Sequence, residues 1–157
     1  MGSIINWNGK LNVPSALQRD HDEARTQFAR ARMEGGRIAR AGKRVAQLCL
    51  PHFEHEEKSV FPVLAVLPYL APENLQPEMM ELMPLISELR AKHDAIVDHH
   101  QEILAAIDEL MLAAHKQKNR ELAEFAHNLK NHEDIESELI YPTVLLIGNY
   151  LQEKFAN

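Results

Sequence analysis

The chain has 157 residues, of which 45% are hydrophobic and 25% charged, and its formal net charge is −6. These values are ordinary for one soluble domain, and the negative charge gives no electrostatic reason to bind nucleic acid or an anionic membrane. A single cysteine, Cys49, excludes an internal disulfide and a cysteine-based zinc cluster, and without a long apolar run or a signal-peptide core we expect a cytoplasmic chain with no membrane span.

The first half of the chain predicts an arm and two helices. Residues 1–14 read as an irregular arm, and Ser15 is expected to cap a helix whose apolar residues recur on one face. Two glycines, 35–36, are predicted to end this helix because glycine adopts the left-handed conformation at little steric cost. A second helix is expected from about Arg37 to the region of Pro62.

The second half predicts two further helices after a proline-rich connector at residues 67–77. The third helix is expected over roughly 78–115, with Pro84 marking either a kink or the true start. A fourth helix follows a polar turn at 116–119. Pro142 should kink or break that helix because proline cannot donate a backbone hydrogen bond.

Four amphipathic helices, two short turns and one longer connector are typical of an up-down-up-down four-helix bundle, an all-α fold. We therefore predict one bundle domain over residues 15–157, preceded by the arm at 1–14. Two helical hairpins, at about 15–67 and 78–153, would build the bundle and bring inward side chains from both halves together.

One segment of the sequence occurs twice, as PHFEHEEKSVFP at 51–62 and as NHEDIESELIYP at 131–142. Each copy has a histidine, a glutamate four residues later, and an aromatic residue with a proline further on. Because residues four apart lie on the same face of a helix, each histidine and glutamate form a vertical pair that suits a transition metal. The pairs are His52 with Glu56 and His132 with Glu136.

Further histidines are predicted to lie at the same height in the bundle. His21 precedes the first turn by about as many residues as His52 follows it. His100 and His132 flank the second turn in the same way. His93 precedes His100 on the same helical stripe, and both are kept as candidates. The predicted metal ligands are therefore His21, His52, Glu56, His93, His100, His132 and Glu136.

The alternative without a metal is a purely structural polar core. It is disfavoured because each buried titratable group would then need its own partner. A ferritin-like site is also set aside, since it needs Glu-x-x-His on two helices and only Glu124 and His127 have that spacing. Ligand chemistry alone leaves the metal open among iron, zinc, copper and nickel.

The doubled motif resembles the hemerythrin-like proteins with the HHE cation-binding domain, whose mark is a histidine on one helix followed by HxxxE on the next, used twice. The likeness covers about residues 15–145. The residues that carry it are His21 with HFEHE at 52–56, and His93 or His100 with HEDIE at 132–136.

The resemblance implies a centre of two non-haem iron ions inside the bundle, bridged by Glu56 and Glu136 and by an oxo or hydroxo group. One iron would keep an open position for a small ligand such as O2, peroxide or NO. The terminal ligands would be divided between the irons, with His21 and His52 on one and His132 with His93 or His100 on the other.

The sequence departs from the oxygen-carrying members of this family. Those have two histidines four apart on the third helix, where Val97 follows His93, and a His-to-Asp spacing on the fourth, where this chain has HxxxE. We therefore expect a di-iron protein that binds O2, NO or peroxide for sensing, buffering or stress response. The alternatives are a di-iron enzyme that consumes peroxide or NO, and an iron-storage, iron-donating or other metal-binding protein.

Overall fold

The computed structural model describes residues 13–156, so most of the predicted arm lies outside the described residues. The α-helices are α1 (Ser15–Met33), α2 (Gly36–Ser59), α3 (Phe61–Leu64), α4 (Leu67–Leu70), α5 (Met83–Lys116), α6 (Arg120–Ile135) and α7 (Tyr141–Phe155). A 3-10 helix, Pro77–Leu82, runs into α5, and a π-helical segment, Glu136–Ile140, joins α6 to α7. None of the helices in the described range has the length and apolarity that a membrane crossing requires.

Four helical columns form a bundle, which confirms the predicted fold class. Helix α1 packs on α2, α2 on α5, α5 on α6 and α6 on α1, while α7 continues the column of α6. The apolar spacing seen in the sequence explains this packing. In α1, for example, Ala24, Phe28 and Ala31 recur at helical spacing and are all buried.

The turn between α1 and α2 uses glycine as predicted. Gly35 and Gly36 have φ values of 73° and 56°, a region that glycine adopts with little strain. The predicted cap at Ser15 is wrong, because Ser15 is already helical and no side chain accepts a capping hydrogen bond there. Pro14 occupies the cap position, and its φ of −58° leads directly into the helix.

Prolines mark the starts of the later helices. Pro84 lies in the first turn of α5, so it marks the start of that helix, the second of the two predicted alternatives. The kink or break predicted at Pro142 takes the form of the π-helical segment, in which the N–H of Tyr141 bonds to the carbonyl of Glu136. Pro142 itself lies in the first turn of α7, where its missing N–H removes little.

Two apolar clusters fill the bundle, and a polar layer lies between them. Phe53 of α2 belongs to the first cluster and Val60, directly after α2, to the second, while the buried Glu56 lies between them in sequence. The apolar residues of α5 divide in the same way on either side of His100. The polar layer therefore sits at mid-bundle, where all four columns contribute side chains.

Candidate metal centre

Six of the seven predicted ligands converge in the polar layer. Their side chains come from every column: His21 from α1, His52 and Glu56 from α2, His100 from α5, His132 from α6 and Glu136 from the start of the π-helical segment. All six have exposed fractions between 0% and 6%. The doubled motif therefore delivers its imidazoles and carboxylates to one buried cluster.

One half of the cluster is formed by His21 and His132 with Glu56 and Glu136. Nε2 of His21 lies 3.3 Å from Oε2 of Glu56 and 3.7 Å from Oε1 of Glu136. Nε2 of His132 lies 2.5 Å from the same Glu136 oxygen. Both imidazoles thus turn the same ring atom toward the shared carboxylates.

The other half is formed by His52 and His100 with the same two glutamates. Nε2 of His52 lies 3.4 Å from Oε1 of Glu56 and 3.1 Å from Oε2 of Glu136. Nε2 of His100 lies 3.6 Å from that Glu136 oxygen. Each glutamate therefore offers one oxygen to each half, and the donor atoms within each half lie within 4.8 Å of one another.

The pairing of the histidines differs from the one that the resemblance implied. His21 lies beside His132 and His52 beside His100, with ring centroids 5.2 and 4.7 Å apart. Each helix has two neighbours around the bundle, and counting residues from a turn gives the height of a side chain but not the neighbour it faces. Each half therefore forms between the two hairpins, whereas the prediction placed His21 with His52 inside one hairpin.

His93 lies outside the cluster. Its side chain is 42% exposed, and its Nδ1 lies 3.7 Å from the carboxylate of Asp94. A step of seven residues moves about 10 Å along a helix axis, which is too far for His93 to share the compact set of atoms around His100. Of the two candidates on the third helix, the structure brings only His100 to the cluster.

Polar side chains outside the cluster hold the imidazoles at Nδ1. Nδ1 of His21 lies 3.0 Å from Glu57, and Arg25 donates to the same Glu57 oxygen at 2.7 Å. Nδ1 of His132 lies 3.2 Å from Asp20. In both cases a carboxylate accepts the Nδ1 proton, so that in the neutral ring the lone pair lies on Nε2, which faces the centre of the cluster.

A serine performs the same task for the third ring, since Nδ1 of His100 lies 2.6 Å from the hydroxyl of Ser137. Anchored at Nδ1, these imidazoles have the tautomer and orientation that metal ligands require. The sequence analysis missed all three anchoring residues. Their position in the sequence could have indicated them, because Asp20, Glu57 and Ser137 are each adjacent to a predicted ligand.

The carboxylates change the pKa values of the imidazoles. Burial alone would lower the pKa of His21, but the glutamates around the ring outweigh it and raise that pKa to about 9. The pKa values of His52 and His132 are also raised, because the adjacent Glu136 carboxylate outweighs the effect of burial. Burial and the neighbouring His52 lower the pKa of His100 to about 4. Without a cation, protons on the imidazoles therefore balance the carboxylate charge.

The two shared glutamates differ in their own titration. Burial raises the pKa of Glu56. Burial acts in the same direction on Glu136, but the imidazoles close to its carboxylate, His132 first among them, hold its pKa well below the usual range. Glu136 therefore ionises at a lower pH than Glu56, and the imidazoles gather around it.

A third buried carboxylate, Glu133, was not predicted. Its exposed fraction is 0%, and burial raises its pKa well above the usual range. Neither of its oxygens has a hydrogen-bond partner. The repeated pattern did not single it out because the first copy of the motif has Phe53 at the matching position.

The aromatic residues of the repeated segment cover the cluster. The buried ring of Phe61 has its centroid 5.0 Å from that of His21. The buried ring of Tyr141 lies 5.4 Å from His100, and its hydroxyl donates to Oε1 of Glu56. Each copy of the segment therefore supplies two cluster residues and an aromatic lid, and its proline starts the next helical piece.

A surface cavity of about 410 Å³ opens beside His132. Its wall includes the carboxylates of Asp20, Glu23, Glu121 and Glu124. Carboxylates that line a concave surface raise the local concentration of cations. Because His132 also lines this cavity, the cavity adjoins the His21/His132 half of the cluster.

The donor set fits metal ions. Several buried atoms of the cluster lie close to one another without hydrogen-bond geometry, among them Nε2 of His21 and His132, Oε2 of Glu56 and Oε1 of Glu136. Each unsatisfied buried polar atom costs about 1–3 kcal/mol, and a cation between them would satisfy several at once. Imidazole nitrogens with carboxylate oxygens suit iron, zinc and related transition metals.

Comparison with known proteins gives one match. The family model described as the hemerythrin HHE cation binding domain matches residues 12–144. No curated protein and no solved structure matches the chain. The matched range contains all six side chains of the cluster and both copies of the repeated motif.

Proposed function

The chain belongs to the hemerythrin HHE cation-binding domain family, and from this premise we propose that its cluster holds two iron ions and binds a small molecule such as O2, NO or peroxide. The observation that supports the proposal is that each of the two shared glutamates faces both pairs of imidazoles. One oxygen of Glu56 and one of Glu136 face each pair of imidazoles. Two carboxylates that each serve two sets of nitrogen donors fit two ions held a short distance apart.

Iron in this cluster would supply an open coordination position and the capacity to exchange electrons with a small molecule. The protein's own residues set the conditions around it. Glu57 and Asp20 orient two imidazoles from outside, and Tyr141 fixes one oxygen of Glu56. Phe53 stacks on His21 with ring centroids 4.0 Å apart and keeps water away from that ring.

Burial limits which molecules can reach the cluster. All six side chains are at most 6% exposed, so a ligand of more than a few atoms would have to open the bundle. The cavity beside His132 supports entry on the side of the His21/His132 half. These features favour a diatomic molecule or peroxide over an organic substrate.

Binding is favoured over catalysis because of how the surrounding polar groups are used. Asp20, Glu57 and Ser137 are each engaged in holding an imidazole, so none of them is free to deliver protons to a substrate. Sensing, buffering or a stress response would need only reversible binding. Consumption of peroxide or NO, and iron storage or donation, are the alternatives that the experiments below separate.

Metal stoichiometry tests the first part of the proposal. After anaerobic loading with Fe(II) and removal of excess metal, we expect about two irons per chain by elemental analysis. Glu136→Gln should hold fewer than one, because Glu136 offers an oxygen to both halves. The exposed neighbour Glu138 provides the control, and Glu138→Gln should still hold two. One zinc per chain, or two irons in Glu136→Gln, would contradict the site.

Absorption spectra test the second part. In the loaded protein we expect new bands on adding azide, O2 or NO, because one ion keeps an open position. Spectra that do not respond to any of the three would contradict a small-ligand site and favour storage or donation. Turnover of peroxide or NO clearly faster than that of free iron would instead indicate an enzyme.

A further inference from the structure

Glu133 is a buried carboxylate that the repeated motif does not explain. Its exposed fraction is 0%, and neither Oε1 nor Oε2 has a hydrogen-bond partner. By contrast, Glu56 accepts from Tyr141, and Glu136 pairs with His52. Burial of a carboxylate without a partner is strongly unfavourable, so Glu133 calls for a positive charge close by.

The position of Glu133 supplies a place for that charge. Its Oε2 lies 3.6 Å from Nε2 of His52 and 3.6 Å from Nε2 of His100, and these nitrogens are 3.1 Å apart. A triangle with sides of 3.1, 3.6 and 3.6 Å has a circumradius of about 2.0 Å, which is the length of metal–nitrogen and metal–oxygen bonds. One cation can therefore contact all three atoms without moving any of them.

The two halves of the cluster differ in the number of carboxylates close to their imidazoles. Among the described residues, Glu133 approaches Nε2 of His52 and His100, whereas the carboxylates within 4 Å of Nε2 of His21 or His132 are only the shared Glu56 and Glu136. At the position of Glu133, the first copy of the motif has Phe53, whose ring stacks on His21. The same place in the repeat thus offers a carboxylate to one half and an apolar ring to the other.

We infer, on the basis of the proposed function, that Glu133 is a terminal ligand of the ion between His52 and His100, and that it directs the small molecule to the other ion. The His52/His100 ion then has two imidazoles, the two shared carboxylates and Glu133. The His21/His132 ion lacks the fifth side chain and keeps the vacant position, on the side where the cavity opens beside His132.

The test is anaerobic titration of the full chain with Fe(II), and separately with Co(II), whose visible absorption reports its coordination. We expect two ions per wild-type chain. In Glu133→Gln, one ion should bind with unchanged affinity and the other about 100-fold more weakly, since even outer partners of metal ligands contribute 10–100-fold. Azide should still change the spectrum of the ion that remains. Glu138→Gln is the control and should match wild type.

Several outcomes would overturn the inference. A Glu133→Gln chain that binds both ions with wild-type affinity would remove Glu133 from the ligands while leaving the proposed function intact. A Glu133→Gln chain that binds a single ion and no longer responds to azide would place the vacant position on the His52/His100 ion, contrary to the inference. A wild-type chain that binds no iron would overturn the proposed function, and this inference with it. If Glu133→Gln does not fold, Glu133→Asp keeps a shorter carboxylate and should show an intermediate second affinity.

Discussion

The orientation of each ring in the cluster depends on a residue outside it. The carboxylates of Glu57 and Asp20 accept at the outer ring edges of two histidines, the Ser137 hydroxyl is hydrogen-bonded to a third, and Tyr141 donates to a carboxylate. Metal ligands in proteins are commonly held in this way, and the outer partners contribute to affinity. Removing one of these contacts should therefore affect both stability and metal binding.

Tyr141→Phe tests the contact with Glu56 at the residue scale. The change deletes one buried hydroxyl and leaves an oxygen of Glu56 without its donor, so we expect the free energy of unfolding of the chelated protein to fall by about 1–3 kcal/mol. Urea denaturation measures it. Tyr150 lies on the same helix with the ammonium group of Lys154 5.5 Å from its ring centroid, and the phenyl ring of Tyr150→Phe keeps that contact, so this variant should change little. Equal stability of Tyr141→Phe and wild type would show that the contact does not hold Glu56.

The sequence was sufficient to single out five of the six converging side chains without an alternative, because a helical spacing that occurs twice carries strong information. The sequence could not distinguish His93 from His100, since both lie on the inward face of the third predicted helix and only packing determines which of them is buried. It also could not reveal Glu133. A carboxylate beside a histidine is common on helix surfaces, and the matching Phe53 hides the equivalence of the two positions.

At the scale of elements, the π-helical segment positions the last shared ligand. Glu136 begins the segment, and Ser137, which anchors His100, follows it. The wider π-helical turn accommodates Pro142, which has no backbone N–H to donate, and the chain continues directly into α7. Sequence reasoning found the disturbance at Pro142 but not its form, because a proline can be accommodated by a kink, a break or a π-turn.

The packing of α7 on α5 depends on Gly148. A Cβ at this position would lie 2.5 Å from Cγ2 of Ile86, a β-branched side chain with little freedom to move. Gly148→Ala should therefore cost about 1–3 kcal/mol through overpacking, more than the roughly 1 kcal/mol gained in helix propensity. The measurement is the free energy of unfolding of the chelated protein.

Two further variants separate packing from propensity. Gln152 is exposed one turn further along α7, so Gln152→Ala should be near neutral. In the background of Ile86→Ala, Gly148→Ala should no longer destabilise, because the obstructing methyl group is absent. A stabilised Gly148→Ala single variant would mean that α5 and α7 do not pack as closely as described.

At the scale of the whole molecule, the polar layer divides the core into two apolar clusters. Such a layer is unfavourable unless its charges are balanced, either by protons or by cations. The raised pKa values of His21, His52 and His132 describe the proton-balanced state. Metal binding would replace those protons, so pH should affect the chelated and loaded proteins in opposite directions.

The alkaline stability of the chelated protein follows from the sign of these shifts. The pKa of His21 is about 9 in the folded chain against an ordinary value of 6.5. The folded state therefore holds a proton that the unfolded state releases, and this stabilisation is complete below pH 6.5 and lost as the pH rises to about 9. His52 and His132 act in the same direction. Urea denaturation across this range should show falling stability in the chelated protein.

The iron-loaded protein should not show that fall. Its ligands need no protons, and deprotonation favours metal binding, so its stability should hold or rise between pH 6.5 and 9. Parallel pH profiles for the loaded and chelated proteins would mean that the cluster's protons and the metal do not compete for the same atoms.

The central claim is that one buried cluster holds two cations, one for each pair of imidazoles. Anomalous X-ray scattering at the iron edge, from crystals of the iron-loaded chain, tests it most directly. We predict two peaks in the polar layer, one between His21 and His132 and the other between His52 and His100. A single peak, or peaks confined to the acidic cavity at the surface, would contradict the account.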